Sequence, residues 1–467
     1  MKKTIFAISL VALLAAAPTM AQVDLSNYVA LGDNMTAGFA SASMMDWYQD
    51  RSYPAVLARQ AGVDDFEQPY ISEPGIGPIF ELVSLLQDGE LRPVIAPVGL
   101  DTGLPTNAEY LGIYNNLGIP TATLFDMIFQ TGDINNLIQG NFDTVFFDIV
   151  LRNGINTALE QAIGAQPTFM TVWIGSNDVL PAVMAATPID GITMTPVDFF
   201  AGLYGNTVGA LNTTTAADIV FINVPYVTEI PFVTSLDPFV DIPDFGRWYL
   251  MADTGPLTDD DFLTLGAGAL LALGYGLPGG PPLPDNMNLF TGEPGVVLRA
   301  TEVDLINAQV DGYNAAIDQA AAAFGYPVFD VNALFADLAS GAYVPTYGGT
   351  TLSTQFLLGG IFSYDGIHPQ HIGYALMTDE LVQFINAEYG SEIPRVDMAE
   401  VLFEGDWQSP VVSPAKAKET IMSAEAFQQL YELFPPKLDQ APRIRRPSAD
   451  RPEFSGRDLR RKPESQP

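Results

Sequence analysis

The chain has 467 residues, with 55 Asp and Glu against 20 Lys and Arg, a formal net charge of −35. Charge of that sign repels phosphate backbones, which excludes nucleic-acid binding for the body of the protein, and it disfavours anionic membrane surfaces. Cysteine is absent, so disulfides, thiolate metal sites and cysteine nucleophiles are excluded too.

At 48% hydrophobic residues the chain can build a large packed core, as one large domain or two ordinary ones. Its charge is unevenly spread. Residues 22–415 carry seven basic side chains, all arginine, while eleven of the remaining basic residues follow position 415. The acidic body suits calcium-rich or salty surroundings, and equally the solubility of an exported protein. Only two histidines occur, His368 and His371, so any histidine-dependent chemistry has to use one of them.

Met1–Ala21 reads as a secretory signal peptide, with Lys2 and Lys3, an apolar run from Ile5 to Ala17, and Thr19-Met20-Ala21 before Gln22. The apolar run is too short to span a bilayer, which places the mature protein in the periplasm or outside the cell, with no stable membrane insertion. Residues 22–395 then form one domain. Its strands are expected at Tyr28–Leu31, Phe169–Ile174, Asp218–Val224 and Tyr326–Val331, each a short continuous apolar run.

A helix is predicted over Glu302–Phe324, where Val303, Ile306, Val310, Tyr313, Ile317 and Phe324 make one stripe. Thr301 and Asp304 resemble a capping box at its start, and Gly325 fits its stop. Another runs from near His371 to Tyr389, with Ile372, Leu376, Leu381, Phe384 and Ile385 inward. Strands alternating with helices predict a three-layer α/β/α sandwich around a parallel sheet. Two segments interrupt the alternation, about 64–115 and 226–298, the second with an apolar helix candidate at Phe262–Leu273. Insertions of that length act as loops or lids near the strand ends where α/β proteins bind ligands. Residues 396–467 form an extension, with a short helix over Ala415–Phe434 and then a basic, disordered tail.

Three motifs fall at strand ends or near the C-terminal end of the domain: Gly32-Asp33-Asn34-Met35-Thr36-Ala37-Gly38, Gly175-Ser176-Asn177-Asp178, and Asp365-Gly366-Ile367-His368-Pro369. Taken in that order they resemble the SGNH hydrolases, the GDSL-type lipases and acylhydrolases. The resemblance covers about residues 26–390 and implies an α/β/α, flavodoxin-like sandwich that hydrolyses carboxylic esters without a cofactor. It implies a base, His368, oriented by Asp365, an oxyanion-hole amide at Asn177, and binding roles for Asp33 and Gly175. Three residues apart, Asp365 and His368 can meet through a tight turn, leaving the second imidazole nitrogen for a nucleophile.

Two positions depart from the family. Asn34 stands where the nucleophilic serine belongs, and a carboxamide has no ionisable hydroxyl. In Asn116-Leu117-Gly118-Ile119-Pro120-Thr121, the oxyanion-hole glycine falls on Thr121, whose branched side chain resists φ > 0, unless the alignment shifts to Gly118. Thr36, Ser41, Ser43 and Ser176 are the nearby hydroxyls, Thr36 with its side chain turned elsewhere and Ser176 in a structural role. His371 is expected at the surface, opening its helix.

Two functions stay open at this point. One is an ester hydrolase in which His368 activates water, with Asn177 holding the oxyanion. The other is a secreted pseudohydrolase that binds an acyl- or acetyl-bearing ligand under the 226–298 insertion. Both take a small ester or acylated ligand as partner, and neither calls for a metal, since no metal-ligating cluster is present beyond scattered carboxylates.

Overall fold

The computed structural model describes residues 23–87, 90–97, 102–244, 246–402 and 421–438. The expected signal peptide and the basic tail from 439 onward lie outside these residues. Five parallel strands make the central sheet: β1 (Tyr28–Gly32), β2 (Asn116–Gly118), β3 (Phe169–Trp173), β4 (Asp218–Ile222) and β5 (Val328–Phe329), in the order β5-β4-β3-β1-β2. β1 and β3 are buried along their whole length, which is why they read as unbroken apolar runs instead of alternating ones.

The helices that matter are α1 (Asn34–Ala37), α2 (Tyr53–Gln60), α3 (Val197–Thr214), α4 (Ala300–Ala322), α5 (His371–Tyr389) and α6 (Ala424–Leu433). Adjacent residues of β3 and β4 sort them onto two faces. Thr171 bonds Tyr53 of α2, Trp173 packs on the same ring, and Phe169 meets Tyr389 of α5. Phe221, in register with Val172, points the opposite way and meets Tyr204 of α3. The result is the three-layer α/β/α sandwich, with α3 and α4 packed together on the second face.

Several boundaries differ from the sequence expectation. α4 starts at Ala300, and it is the Glu302 carboxylate that accepts the Arg299 N–H, in place of the Thr301/Asp304 pair. Ile306, Val310, Tyr313 and Ile317 are buried as the stripe predicts, but Phe324 lies past the helix end and is exposed. The fourth expected strand shrinks to Val328–Phe329. In the second insertion Phe262–Leu263 pairs with Val297–Leu298, which leaves a helix over Ala267–Ala272 alone; the tertiary partner overrides local preference.

Both insertions are built structures. In the first, Phe80–Gln87 and Glu90–Pro97 form an antiparallel hairpin, and Ile421–Met422 adds to it in parallel. The second is pinned by Arg299, whose guanidinium meets Asp285 at 2.9 Å and Asp261 at 3.1 Å. The C-terminal extension starts its helix at Ala424 with Ser423 as cap, later than expected, while 415–420 fall outside the described residues. Phe427 of α6 stacks on Phe232, and the Tyr431 hydroxyl reaches the Gly292 carbonyl at 3.1 Å, so this segment rides on the second insertion.

Candidate functional site

Gly32 of β1 is level with Gly118 of β2 and Trp173 of β3, and Trp173 with Ile222 of β4. The segments that follow these strands therefore emerge together at the carboxyl edge of the sheet. Asp33 and Asn34 follow β1, Thr121 follows β2, and Gly175 to Asp178 follow β3. The third motif arrives on the turn before α5.

Asp33 and Gly175 shape this edge without lining the cleft. The Asp33 side chain accepts the Met35 N–H at 3.1 Å and so caps α1. Gly175 has φ +130, and a Cβ there would meet Val224 at 2.8 Å and Phe200 at 3.1 Å, so only glycine fits.

The base corner is tightly built. Asp365 Oδ2 bonds His368 Nδ1 at 2.8 Å and accepts the Ala42 N–H at 2.9 Å. Asp365 Oδ1 accepts the N–H groups of Ile367 and His368, both at 2.8 Å, and the Ser363 hydroxyl at 3.0 Å. Burial works to raise this carboxyl, yet His368 and the N–H donors outweigh it and hold it below the ordinary carboxylate range. The imidazole itself is 2% exposed and lies near Phe39, edge-on at 5.1 Å, and Phe434, at 6.1 Å.

The opposite corner centres on Asn34. Its Oδ1 accepts the Thr121 N–H at 2.6 Å and an Asn177 Nδ2–H at 2.9 Å. Its Nδ2 lies 2.7 Å from His368 Nε2. Two donors on one side fix that atom as the oxygen, so the nitrogen faces the imidazole and donates to it. His368 is then the tautomer with its proton on Nδ1, toward Asp365. Thr121 does adopt the left-handed conformation, φ +69, that its branched side chain resists. That conformation is what turns its N–H onto Asn34.

The chemical consequence is direct. The two donors expected to receive a developing oxyanion are bonded to a carboxamide oxygen, and the lone pair of the base is bonded to the same side chain's nitrogen. None of the neighbouring hydroxyls named above is bonded to His368, whose ring partners are Asn34 and Asp365. Thr36 bonds Tyr53 and Ser41 bonds Tyr48, while Ser43 and Ser176 have buried Oγ atoms without hydrogen-bond partners. Ser176 alone of these lines the cleft, and no base reaches it.

Two more acids sit behind the site. Burial pushes Asp33 up to about 7 and Asp178 up to about 6, against the hydrogen bonds each accepts. Asp178 holds the Leu124 N–H at 2.8 Å and the Thr195 hydroxyl at 2.7 Å, which fixes the strand-end loop carrying Asn177.

His371 corrects the sequence expectation. It is buried at the start of α5 against Trp47, edge-on at 5.0 Å, and neither ring nitrogen makes a hydrogen bond of ordinary geometry. Burial and the nearby Arg51 guanidinium push it down to about 4, offset in part by a weak contact with the Val401 backbone.

A small cleft, open to solvent, lies over Asn34, Asn177 and His368. Its far side comes from the segment after β4, with Tyr226, Glu229 and Ile230, and from Phe335 and Phe362. Glu229 and the two phenylalanines were not legible as site residues, because none belongs to a motif. No group of three or more His, Asp or Glu able to hold a metal occurs among the described residues. Nor is any described helix long and apolar enough to cross a membrane.

A family model described as GDSL-like Lipase/Acylhydrolase matches residues 28–381. Comparison with curated proteins gives no match. Among solved structures, the chain is similar to a phospholipase A1 from Streptomyces albidoflavus, at 13% identity and a TM-score of 0.32, covering 76% of this chain and 98% of that one. It is also similar to an acetylxylan esterase from Geobacillus stearothermophilus, at 11% identity and a TM-score of 0.34, covering 79% and 95%.

Proposed function

Because the chain belongs to the GDSL-like lipase/acylhydrolase family, we propose that it acts outside the cytoplasm on a small ester or acylated ligand, with the serine acyl-enzyme route closed at Asn34. The carrying observation is the carboxamide that bridges both halves of the machinery, with its oxygen on Thr121 and Asn177 and its nitrogen on His368. A ligand carbonyl can take the two oxyanion donors only by displacing that side chain. The site as folded therefore favours holding an acyl- or acetyl-bearing ligand over cutting it. Export rests on the signal-like Met1–Ala21 and on the acidic, cysteine-free body.

A second reading has its own observation. The Asp365–His368 pair is intact at 2.8 Å, so a swing of Asn34 away from the imidazole would let His368 activate water. Such a site still draws on binding and the oxyanion donors, which alone supply about 10³–10⁴-fold over water when a triad member is missing.

The test is release from short-chain nitrophenyl esters together with labelling by a serine-reactive phosphonate. We expect labelling of Asn34→Ser and none of the native chain. Native turnover that disappears in His368→Ala would favour the water route. Native labelling would show a working hydroxyl and overturn the proposal.

A further inference from the structure

One polar group in the cleft takes no part in the arrangement around Asn34. Glu229 lines the same cavity as Asn34 and His368, on the segment that follows β4. Its Oε2 is buried and has no hydrogen-bond partner. A carboxylate oxygen withdrawn from water costs free energy until something binds it. No described Arg or Lys lines the cavity, and Arg247, Arg299 and Arg395 are engaged with other carboxylates. Burial alone moves Glu229, upward from its ordinary range, as expected of an acid with no counter-charge beside it.

The walls around it are apolar and aromatic, with Tyr226, Ile230, Phe335 and Phe362. The Tyr226 hydroxyl is already given to Asp311 at 2.6 Å, so this residue offers the cavity its ring.

We propose that Glu229 makes the cleft selective for esters that carry an ammonium group, quaternary or primary. This rests on the reading of the cleft as a site for esters. A carboxylate beside aromatic faces holds such a cation by ion pairing and by attraction to the ring quadrupoles. A neutral, hydroxyl-bearing ester would bond Glu229 but leave its charge uncompensated. The surplus of acidic side chains over the body draws cations toward the cleft before contact.

The probes are acetylcholine and its uncharged carbon isostere, dimethylbutyl acetate. Binding is measured by calorimetry on the full chain, and hydrolysis on Asn34→Ser. We expect acetylcholine to be preferred by about tenfold or more in both assays. Glu229→Gln should remove the preference, with an unchanged melting temperature and circular-dichroism spectrum showing that the variant is folded. Equal handling of the two esters by the parent chains, or a preference that survives in Glu229→Gln, would overturn the selectivity and leave the ester reading standing. Failure of both probes in both assays would sink the ester reading, and this one with it.

Discussion

The two corners of the site are built differently. At the base corner, Asp365 spends both oxygens on five donors, and His368 has two aromatic rings near it. At the opposite corner stand a carboxamide, Asn34, and a threonine, Thr121, held at φ +69. Folding alone demands the first arrangement, since an acid buried to 0% exposure is tolerable only when its bonds are made. Nothing in folding demands a serine at position 34. The amide there offers an acceptor to Thr121 and Asn177 and a donor to His368. The polar frame of the site is thus accounted for by stability alone.

The largest effect that would sharpen this contrast is a gain of activity. Asn34→Ser frees both oxyanion donors and puts a hydroxyl within reach of His368, so nitrophenyl ester hydrolysis should rise by about 10³-fold or more. No increase in steady-state rate would mean that the frame is not poised for catalysis.

Next in size is the cost of breaking the base corner. Asp365→Ala leaves three backbone N–H groups, the His368 Nδ1–H and the Ser363 hydroxyl without this acceptor, and should lower unfolding free energy by about 3 kcal/mol or more in urea titrations. Asn34→Ala should cost about 1–2 kcal/mol in the same assay, since Asn177 keeps the Ala122 carbonyl as partner. Equal losses at the two positions would erase the asymmetry.

A third measurement follows pH. The folded-state value of His371, about 4, lies below its unfolded value. The unfolded chain therefore takes up this proton first, and stability falls as pH drops from about 6.5 toward 4. His371→Leu should remove that loss, a relative gain on the order of 2 kcal/mol at the acid end, seen as a flatter melting-temperature profile. Asp33 and Asp178 bias the same window the other way, because acids raised by burial favour the folded state at low pH. The comparison must therefore be between native and variant chains. An unchanged acid limb would show that the imidazole is protonated in place.

The smallest effect is at Thr121. Glycine there relieves the left-handed strain, and Thr121→Gly should stabilise by about 1 kcal/mol or somewhat less, after the added freedom of the unfolded glycine. A destabilised variant would place the value of the threonine in its side-chain packing.

Much of this was readable from residues alone, for identifiable reasons. The buried parallel strands announce themselves as apolar runs, and the glycines after them mark where the chain must turn into the site. Asp365 and His368 are readable because the motif resembles the family's, and a three-residue spacing lets the two side chains meet through a tight turn. Phe335, Phe362 and Glu229 reach the cleft through the fold and carry no local pattern. His371 was misplaced because a helix-start position says nothing about the Trp47 that covers it. The bond between Asn34 and the oxyanion donors is a property of three distant loops, and only their placement reveals it.

Phe434 lies beyond the family-matched stretch, which stops at 381, yet its ring lies 6.1 Å from the His368 imidazole. A growing chain delivers Asn34 early and this ring some 400 positions later. Until residues 421–438 have been synthesised and docked along the hairpin and the second insertion, His368 lacks this aromatic neighbour. A chain that stops before residue 434 therefore carries all three motifs without this ring.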